Sequence, residues 1–309
     1  MTIENVAFGV SINDIVLPSG ETHMGILGGG GPQTAWGMAA VLGSGETVGL
    51  AARVGPNLPD NFFAPLEKAG INLEGVQHTS LYTPQAWEVM EHDGTRTHLW
   101  RVPDDILAKQ MIRGWDILPT HYQGAKNFHW GLDAEKSNHD ISNAHRLKIK
   151  GNQVSLEPYR LPDHPLKHEQ LQKLVQSCNI ISLSWQEACR ITEYDEYVRI
   201  ITEFRDAGTE ILLVRRDKQG ADIYNFTKSI GVHVPAIKTH VVDVIGAGNT
   251  FSGGFLVQLQ NSIEEAACHA SVVASYMIEQ IGLPQRLPDP ADYKRRFQEA
   301  KSGLEYIKI

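Results

Sequence analysis

Asp243-Val244-Ile245-Gly246-Ala247-Gly248-Asn249-Thr250-Phe251-Ser252-Gly253-Gly254-Phe255-Leu256 decides how this chain is read. A β-prone run ends near Val242, a glycine-rich turn follows, and a helical stretch begins. Small residues let the backbone turn tightly and come close to a ligand. The free amides at the helix start then point one way, and the helix dipole favours negative charge there. The string reads as an anion hole built from backbone. An ordinary glycine-rich turn between strand and helix is the plain alternative.

Composition sets the outer limits. The chain has 309 residues, 42% of them apolar and 21% charged, which excludes a wholly disordered polymer. That length suits one or two domains. Lys plus Arg number 28 against 36 Asp plus Glu, a net charge of −8, so the footprint of a general nucleic-acid binder is missing. An anion can still be held locally by uncharged amides. No run of about 18 apolar residues exists, so no membrane span is expected. Met1-Thr2-Ile3-Glu4-Asn5 has no basic start and no long apolar stretch, which argues against a secretory signal. Cys178, Cys189 and Cys268 form no C-x-x-C pair, so a disulfide framework is not expected and a reducing, cytoplasmic setting is.

Working outward, Val6–Val10 reads as a buried strand, and Gly28-Gly29-Gly30-Gly31-Pro32 leads into a helix over Gln33–Leu42 with Gly43 as its stop. Val48–Val54 reads as a strand and Asp60–Ala69 as a helix. Ala86–Glu91 and Thr95–Val102 flank His92-Asp93-Gly94, a hairpin signal that suggests a small projecting sheet. Alternation resumes with strands at Lys126–Trp130, Gln153–Leu156, Asn179–Leu183 and Ile211–Val214. Helices are expected at Ala134–Leu147, Glu169–Gln176, Gln186–Ile191 and Glu196–Asp206. A β-pair at Asp222–Asn225 and Gly231–Val234 precedes three helices, Thr250–Leu259, Ile263–Ile281 and Ala291–Lys301. The pattern predicts an α/β fold with a mostly parallel central sheet, as one domain over 1–309. Lid segments are expected near 13–27 and 84–103.

The opening string resembles the second signature of the PfkB/ribokinase family of small-molecule kinases, D-T-x-G-A-G-D-x-F-x-x-G-F. Asp243, Gly246, Ala247, Gly248, Phe251, Gly254 and Phe255 match it. Gly9-Val10-Ser11-Ile12-Asn13-Asp14 is similar to the family's opening strand and substrate-binding Asp, and Gly29–Gly43 to its first glycine signature. Val54-Gly55-Pro56-Asn57 through Gly70-Ile71 and Val232–Asp243 extend the resemblance over nearly the whole chain. It implies a three-layer α/β/α sandwich with a β-sheet lid over a cleft where ATP meets a sugar, nucleoside or related alcohol. The G-A-G-D turn would stabilise charge on the transferring phosphoryl group and its Asp would act as general base. Mg²⁺ would bridge the phosphates through waters and nearby acids. The implied partner is a small molecule, with a homodimer formed through the lid. No G-x-x-x-x-G-K-[ST] string is present, so a P-loop NTPase is not the reading.

The resemblance assigns Gly246, Ala247, Gly248 and residue 249 to the reacting end. Asp14, Gly30, Gly31, Thr34 and Asp243 would hold substrate, and Glu187, Arg215, Asp217 and Gly220 nucleotide, with Glu187 also serving the metal. Several positions depart from the pattern. Residue 249 is Asn, whose neutral amide cannot accept the hydroxyl proton. Thr34 stands for an Asn, Ser184-Trp185-Gln186-Glu187 keeps only the Glu of N-x-x-E, and 215–220 keeps only Gly220 of T-L-G-x-x-G. A natural pseudokinase or a new reaction, a kinase whose base comes from Asp243, Asp14 or the substrate, and an engineered Asp→Asn trap all fit Asn249. So the expected activity is ATP-dependent phosphotransfer. A ligand-binding protein and a non-kinase enzyme reusing the anion hole are the alternatives.

Other features carry two readings each. Arg215 or Arg216 could grip a phosphate or form a solvated loop cluster. His164 and His168 have zinc-compatible spacing, but Pro165 intervenes and solvated histidines are the simpler reading. Trp87, Trp100 and Arg101 could close over a substrate or pack within the hairpin. Cys189 and Cys268 read as small core residues. Asp14, expected just after a buried strand, would lie where ligands meet α/β sheets.

Overall fold

Short apolar strands covered on both faces read as nearly continuous hydrophobic runs, and here they build a ten-stranded sheet. The structure, a computed structural model, describes residues 2–92, 96–134, 138–160 and 162–309. β1 (Asn5–Phe8) leads into β2 (Ser11–Val16) and β3 (Thr22–Gly28), then α1 (Gly31–Leu42), β4 (Val48–Val54), α2 (Ala64–Lys68) and β5 (Asn72–His78). β6 (Gln85–Met90), β7 (Arg96–Trp100) and α3 (Asp104–Gln110) follow. Next come β8 (Asn127–Asp133), α4 (Asn138–Ile149), β9 (Gln153–Arg160), α5 (His168–Gln176), β10 (Ile180–Ser184), α6 (Trp185–Thr192), α7 (Tyr197–Asp206) and β11 (Ile211–Arg215). β12 (Ala221–Asn225), β13 (Ile230–Val234), α8 (Ala247–Gln258), α9 (Ile263–Met277), α10 (Pro290–Ser302) and β14 (Glu305–Ile307) complete the described elements.

The large sheet has the order β14-β13-β12-β11-β10-β9-β8-β1-β4-β5. It is parallel from β11 to β5, and β12, β13 and β14 add an antiparallel edge. Alternation along each strand splits the core in two. Val6, Phe8, Trp130 and Leu212 pack with residues of α4, α5, α6 and α7. Ala7, Leu50, Leu213 and Ile223 pack with α1, α8 and α9 on the other face. The result is the expected three-layer sandwich. β3-β2-β6-β7 forms the separate small sheet, built from 11–28 and 85–100.

Helices α1 and α8 cross at backbone distance. A Cβ placed on Gly37 would lie 2.5 Å from the Thr250 carbonyl oxygen, and one on Gly253 would lie 2.4 Å from that of Thr34. Glycine is a poor helix former, yet here it lets two helices approach closely. The Thr250 hydroxyl donates to the Gln33 carbonyl across the same contact, at 3.2 Å.

Most differences from the sequence pattern have local causes. β1 ends at Phe8, not Val10, because Gly9 takes a φ of 90°. The helix expected over Asp60–Ala69 contracts to α2, whose first turn holds Pro65. α8 begins at Ala247, three residues early, because left-handed Gly246 sets its start. α9 stops at Met277, where the Ile278 carbonyl accepts from the amides of Val242 and Asp243. The half-exposed strand β5, the short β14 and α3 were not foreseen. β6 and β7 pair antiparallel, while the turn residues Asp93 and Gly94 lie outside the described residues. So do 135–137 of the helix expected from Ala134. Among the described residues no helix is long and apolar enough to cross a membrane.

Gly253→Ala should lower unfolding stability by about 1–3 kcal/mol through overpacking against Thr34. The urea midpoint measures this, and an unchanged midpoint would show that α1 and α8 can separate freely.

Candidate active site

The carboxyl ends of parallel strands are where α/β sheets leave a crevice. Gly9, Glu157, Ser184 and Arg215 all stand at such ends. Two helices start over the same edge. Gly30 caps α1 with φ 79° and Gly246 caps α8 with φ 84°, a region costly for residues bearing a Cβ. Neither helix start has a side-chain cap bond. The first amides of each therefore lack helical partners, although that of Ala247 donates to the Val244 carbonyl at 3.3 Å. A Cβ on Gly30 would lie 2.5 Å from Asn249 Oδ1, and one on Gly246 would lie 2.5 Å from Gln33 Cγ. The structure thus brings Gly30, Gly31, Gly246, Ala247, Gly248 and Asn249 to one place.

A buried charged cluster backs this turn. Arg215 Nη1 lies 2.9 Å from Glu157 Oε2 and donates to Ser182 Oγ at 2.9 Å. Its Nη2 lies 3.4 Å from Glu187 Oε2. Ser252 on α8 donates to Glu157 Oε2 at 2.9 Å, and a Cβ on Gly248 would be 2.7 Å from Arg215 Cζ. Glu187 also serves as a helix cap. Its Oε2 accepts the Ser184 amide at 2.6 Å while Ser184 Oγ accepts the Glu187 amide at 3.2 Å. Burial raises the Glu187 carboxyl above its usual range, with Arg215 opposing. Burial likewise disfavours the Arg215 charge, but Glu157 and Glu187 outweigh it and the net shift is upward. Removing one member of such a buried set costs about 3–5 kcal/mol.

Those contacts bear on the metal expected at Glu187. Mg²⁺ demands near-ideal octahedral oxygen geometry and is usually held by one or two carboxylates plus phosphates. Here Glu187 is committed to a helix cap and to a guanidinium. Among the described residues no group of three His, Cys, Asp or Glu could hold a metal ion. The arrangement does not fit a cation held directly by Glu187.

The lid presents a second polar group. Glu88 Oε1 accepts from Asn13 Nδ2 at 3.2 Å and pairs with His98 Nδ1 at 2.8 Å. Strand register puts Asn13, Glu88 and His98 on one face of the lid. That face looks toward Asp243, whose carboxyl is raised by burial, lowered by the Ile245 amide and raised again by Glu88. Buried Gln33 Oε1, Thr34 Oγ1, His98 Nε2 and Asp243 Oδ2 have no hydrogen-bond partner among the described residues. Unpaired buried polar atoms of this kind call for a ligand or water.

Asp14 has a different setting. It lies inside β2 of the lid, not just after a strand of the main sheet. Its register partner is Trp87, on the face opposite Glu88. Its carboxylate accepts from Arg101 and from the Gly25 amide, and Arg101 lies over the Trp87 ring at 4.9 Å. Asp217 and Gly220 form the tight turn after β11, where Asp217 adds to the field that holds Arg215 charged. Arg216 turns away to Asp222, at 3.1 Å. His168 pairs with Glu203 at 2.8 Å. Cys268 is buried and Cys189 half-buried.

Sequence reading missed Glu157, Ser182, Ser252 and His129, as well as Asn13, Glu88 and His98. Only period-two parity hinted at the first set, since Ser155 and Glu157 share a face between apolar Val154 and Leu156. His129 Nδ1 lies 2.9 Å from Ser155 Oγ.

The family model for pfkB family carbohydrate kinases matches residues 3–290, and the chain belongs to that family. It is 29% identical over 252 residues to a probable fructokinase-5 of Arabidopsis thaliana, covering 74% of this chain and 76% of that protein. A cytidine kinase of Thermococcus kodakarensis is 24% identical over 247 residues, covering 80% and 84%. Among solved structures, the fructokinase with bound ATP from Xylella fastidiosa superposes with a TM-score of 0.74 at 19% identity, over 97% of this chain and 99% of that one. The fold is thus the ribokinase-like sandwich with a β lid.

Burial depresses the His129 imidazole to about 4, with Glu157 opposing and Arg215 assisting. A folded value below the ordinary 6.5 keeps this stabilisation full above that pH and removes it as pH falls toward 4. The loss is on the order of 3 kcal/mol. Thermal melts of the native chain should show this slope between pH 6.5 and 4, and His129→Gln should flatten it.

Proposed function

We propose that the chain moves the terminal phosphoryl group of ATP onto a hydroxyl of a small sugar, nucleoside or related alcohol. The observation that carries this is the meeting of two uncapped helix starts, with Gly30 against the Asn249 side chain. The substrate hydroxyl oxygen bonds to the γ-phosphorus, the bond to the bridging oxygen breaks, and ADP leaves with the electron pair. Phosphoryl transfer of this type asks mainly for positioning and charge stabilisation. The amides of Gly248 and Asn249 oppose the charge on the transferring group. Glu88, His98, Asn13 and Asp243 offer the acceptors and donors that hydroxyls require.

Asn249 can orient the acceptor hydroxyl but cannot take its proton. The hydroxyl proton passes to Asp243, the carboxylate nearest in sequence to the turn, whose Oδ2 is unpartnered among the described residues. Asn249 also favours a second reading, a kinase whose rate is impaired while its binding survives.

A coupled ADP assay and calorimetric ATP titration separate these. We expect ATP binding by the native chain, a kcat for Asn249→Asp higher by about 10²–10⁴, and a slower native reaction in Asp243→Asn. If neither form binds ATP, phosphotransfer is the wrong reading. Binding without turnover in the native chain, restored by Asn249→Asp, supports the impaired kinase.

The outer surface of the lid supports pairing of two copies, because Leu99 and Met24 are 54% and 56% exposed there. Leu99→Lys should convert a dimer to a monomer in light scattering. A native chain that is already monomeric sinks the lid-paired dimer.

A further inference from the structure

The Glu157–Arg215–Glu187 cluster says something about charge that phosphotransfer alone does not. Two carboxylates, only 8% and 15% exposed, share one guanidinium behind the first turn of α8. Glu157 also disfavours ionisation of Glu187, although burial is the larger cause of its raised carboxyl. A buried pair of like charges needs a cation. A divalent ion with oxygen ligands is one way to supply it. Here β11 supplies it from the chain itself. Arg215 reaches Glu157 at 2.9 Å, Ser182 at 2.9 Å and Glu187 at 3.4 Å. It also closes up against α8, because a Cβ on Gly248 would lie 2.7 Å from Cζ and 2.9 Å from Glu157 Oε1.

We propose that Arg215 is a resident counter-ion, and that Glu157 and Glu187 form a latent divalent-cation site which its guanidinium occupies. Positive charge beside the α8 amides then comes from a fixed side chain rather than from a recruited metal. Arg215 acts here as a positioning residue: it holds both carboxylates, and through Glu187 the cap of α6. Replacing it with an uncharged side chain of similar length leaves two buried carboxylates that a divalent cation can reach.

The test is a Mn²⁺ titration followed by electron paramagnetic resonance, on the full chain without nucleotide. Its outcome is therefore separate from whether the chain transfers phosphate. Native protein and Arg215→Lys should leave Mn²⁺ free. Arg215→Met should bind it about 10–100-fold more tightly than the native chain, and Arg215→Met with Glu187→Gln should lose that gain. Thermal melts give a second readout, with the midpoint of Arg215→Met rising on addition of Mn²⁺ and the native midpoint unmoved. The proposal is overturned if native protein binds Mn²⁺ and loses it with Glu187→Gln. It is equally overturned if Arg215→Met binds no better than native, or fails to fold both with and without Mn²⁺.

Discussion

The close crossing of α1 and α8 is the constraint on which the rest depends. Gly37 and Gly253 let the two backbones approach, and that approach brings both helix starts over one sheet edge. A side chain at either crossing glycine would press on the carbonyl of the facing helix. The convergence of the two helix starts is thus a packing property first. It explains why α1 and α8 carry glycine in their interiors, against helix propensity. Burial of Trp36, Met38, Phe255 and Leu256 around the crossing offsets that local cost.

Electrostatics then divides the cleft. Toward α8 the chain places two carboxylates, a guanidinium and helix-end amides in a sparsely hydrated layer. Toward the lid it places Asn13, Glu88 and His98 opposite Asp243. A net charge of −8 is compatible with anion binding at the proposed site, because the donors converging there are backbone dipoles. Overall charge describes the solvent-facing surface, whereas the site is set by a few groups withdrawn from it.

The fold was legible in the sequence where structure is encoded locally. Glycines with positive φ, apolar runs and the string from Asp243 to Leu256 all act within a few residues of themselves. The site was legible to the same extent: Gly30, Gly246 and Asn249 meet because each belongs to a local turn. Glu157, Ser182 and Ser252 were not, since a lone Glu or Ser gains meaning only from the register of neighbouring strands. Asp14 shows the converse. Its spacing from Gly9 places it in the right strand, but pairing with Trp87 sends its carboxylate to the lid face away from Glu88. Arg215 read as either a phosphate grip or a surface charge, and its neighbours in space give it a third role.

The contact between Gln33 and Thr250 joins residues 217 positions apart. During synthesis α1 therefore emerges long before the helix that covers it. Its apolar face, with Trp36 and Met38, can lie on β1, β3, β4, β8 and α2, but it lacks the helix that covers it until α8 leaves the ribosome. Contacts so distant in sequence close slowly, because loop entropy is lost before they form. The cleft is accordingly among the last parts of the molecule to be completed. Until then a nascent chain carries an unfinished apolar surface on α1, which makes that surface a natural point of contact for chaperones.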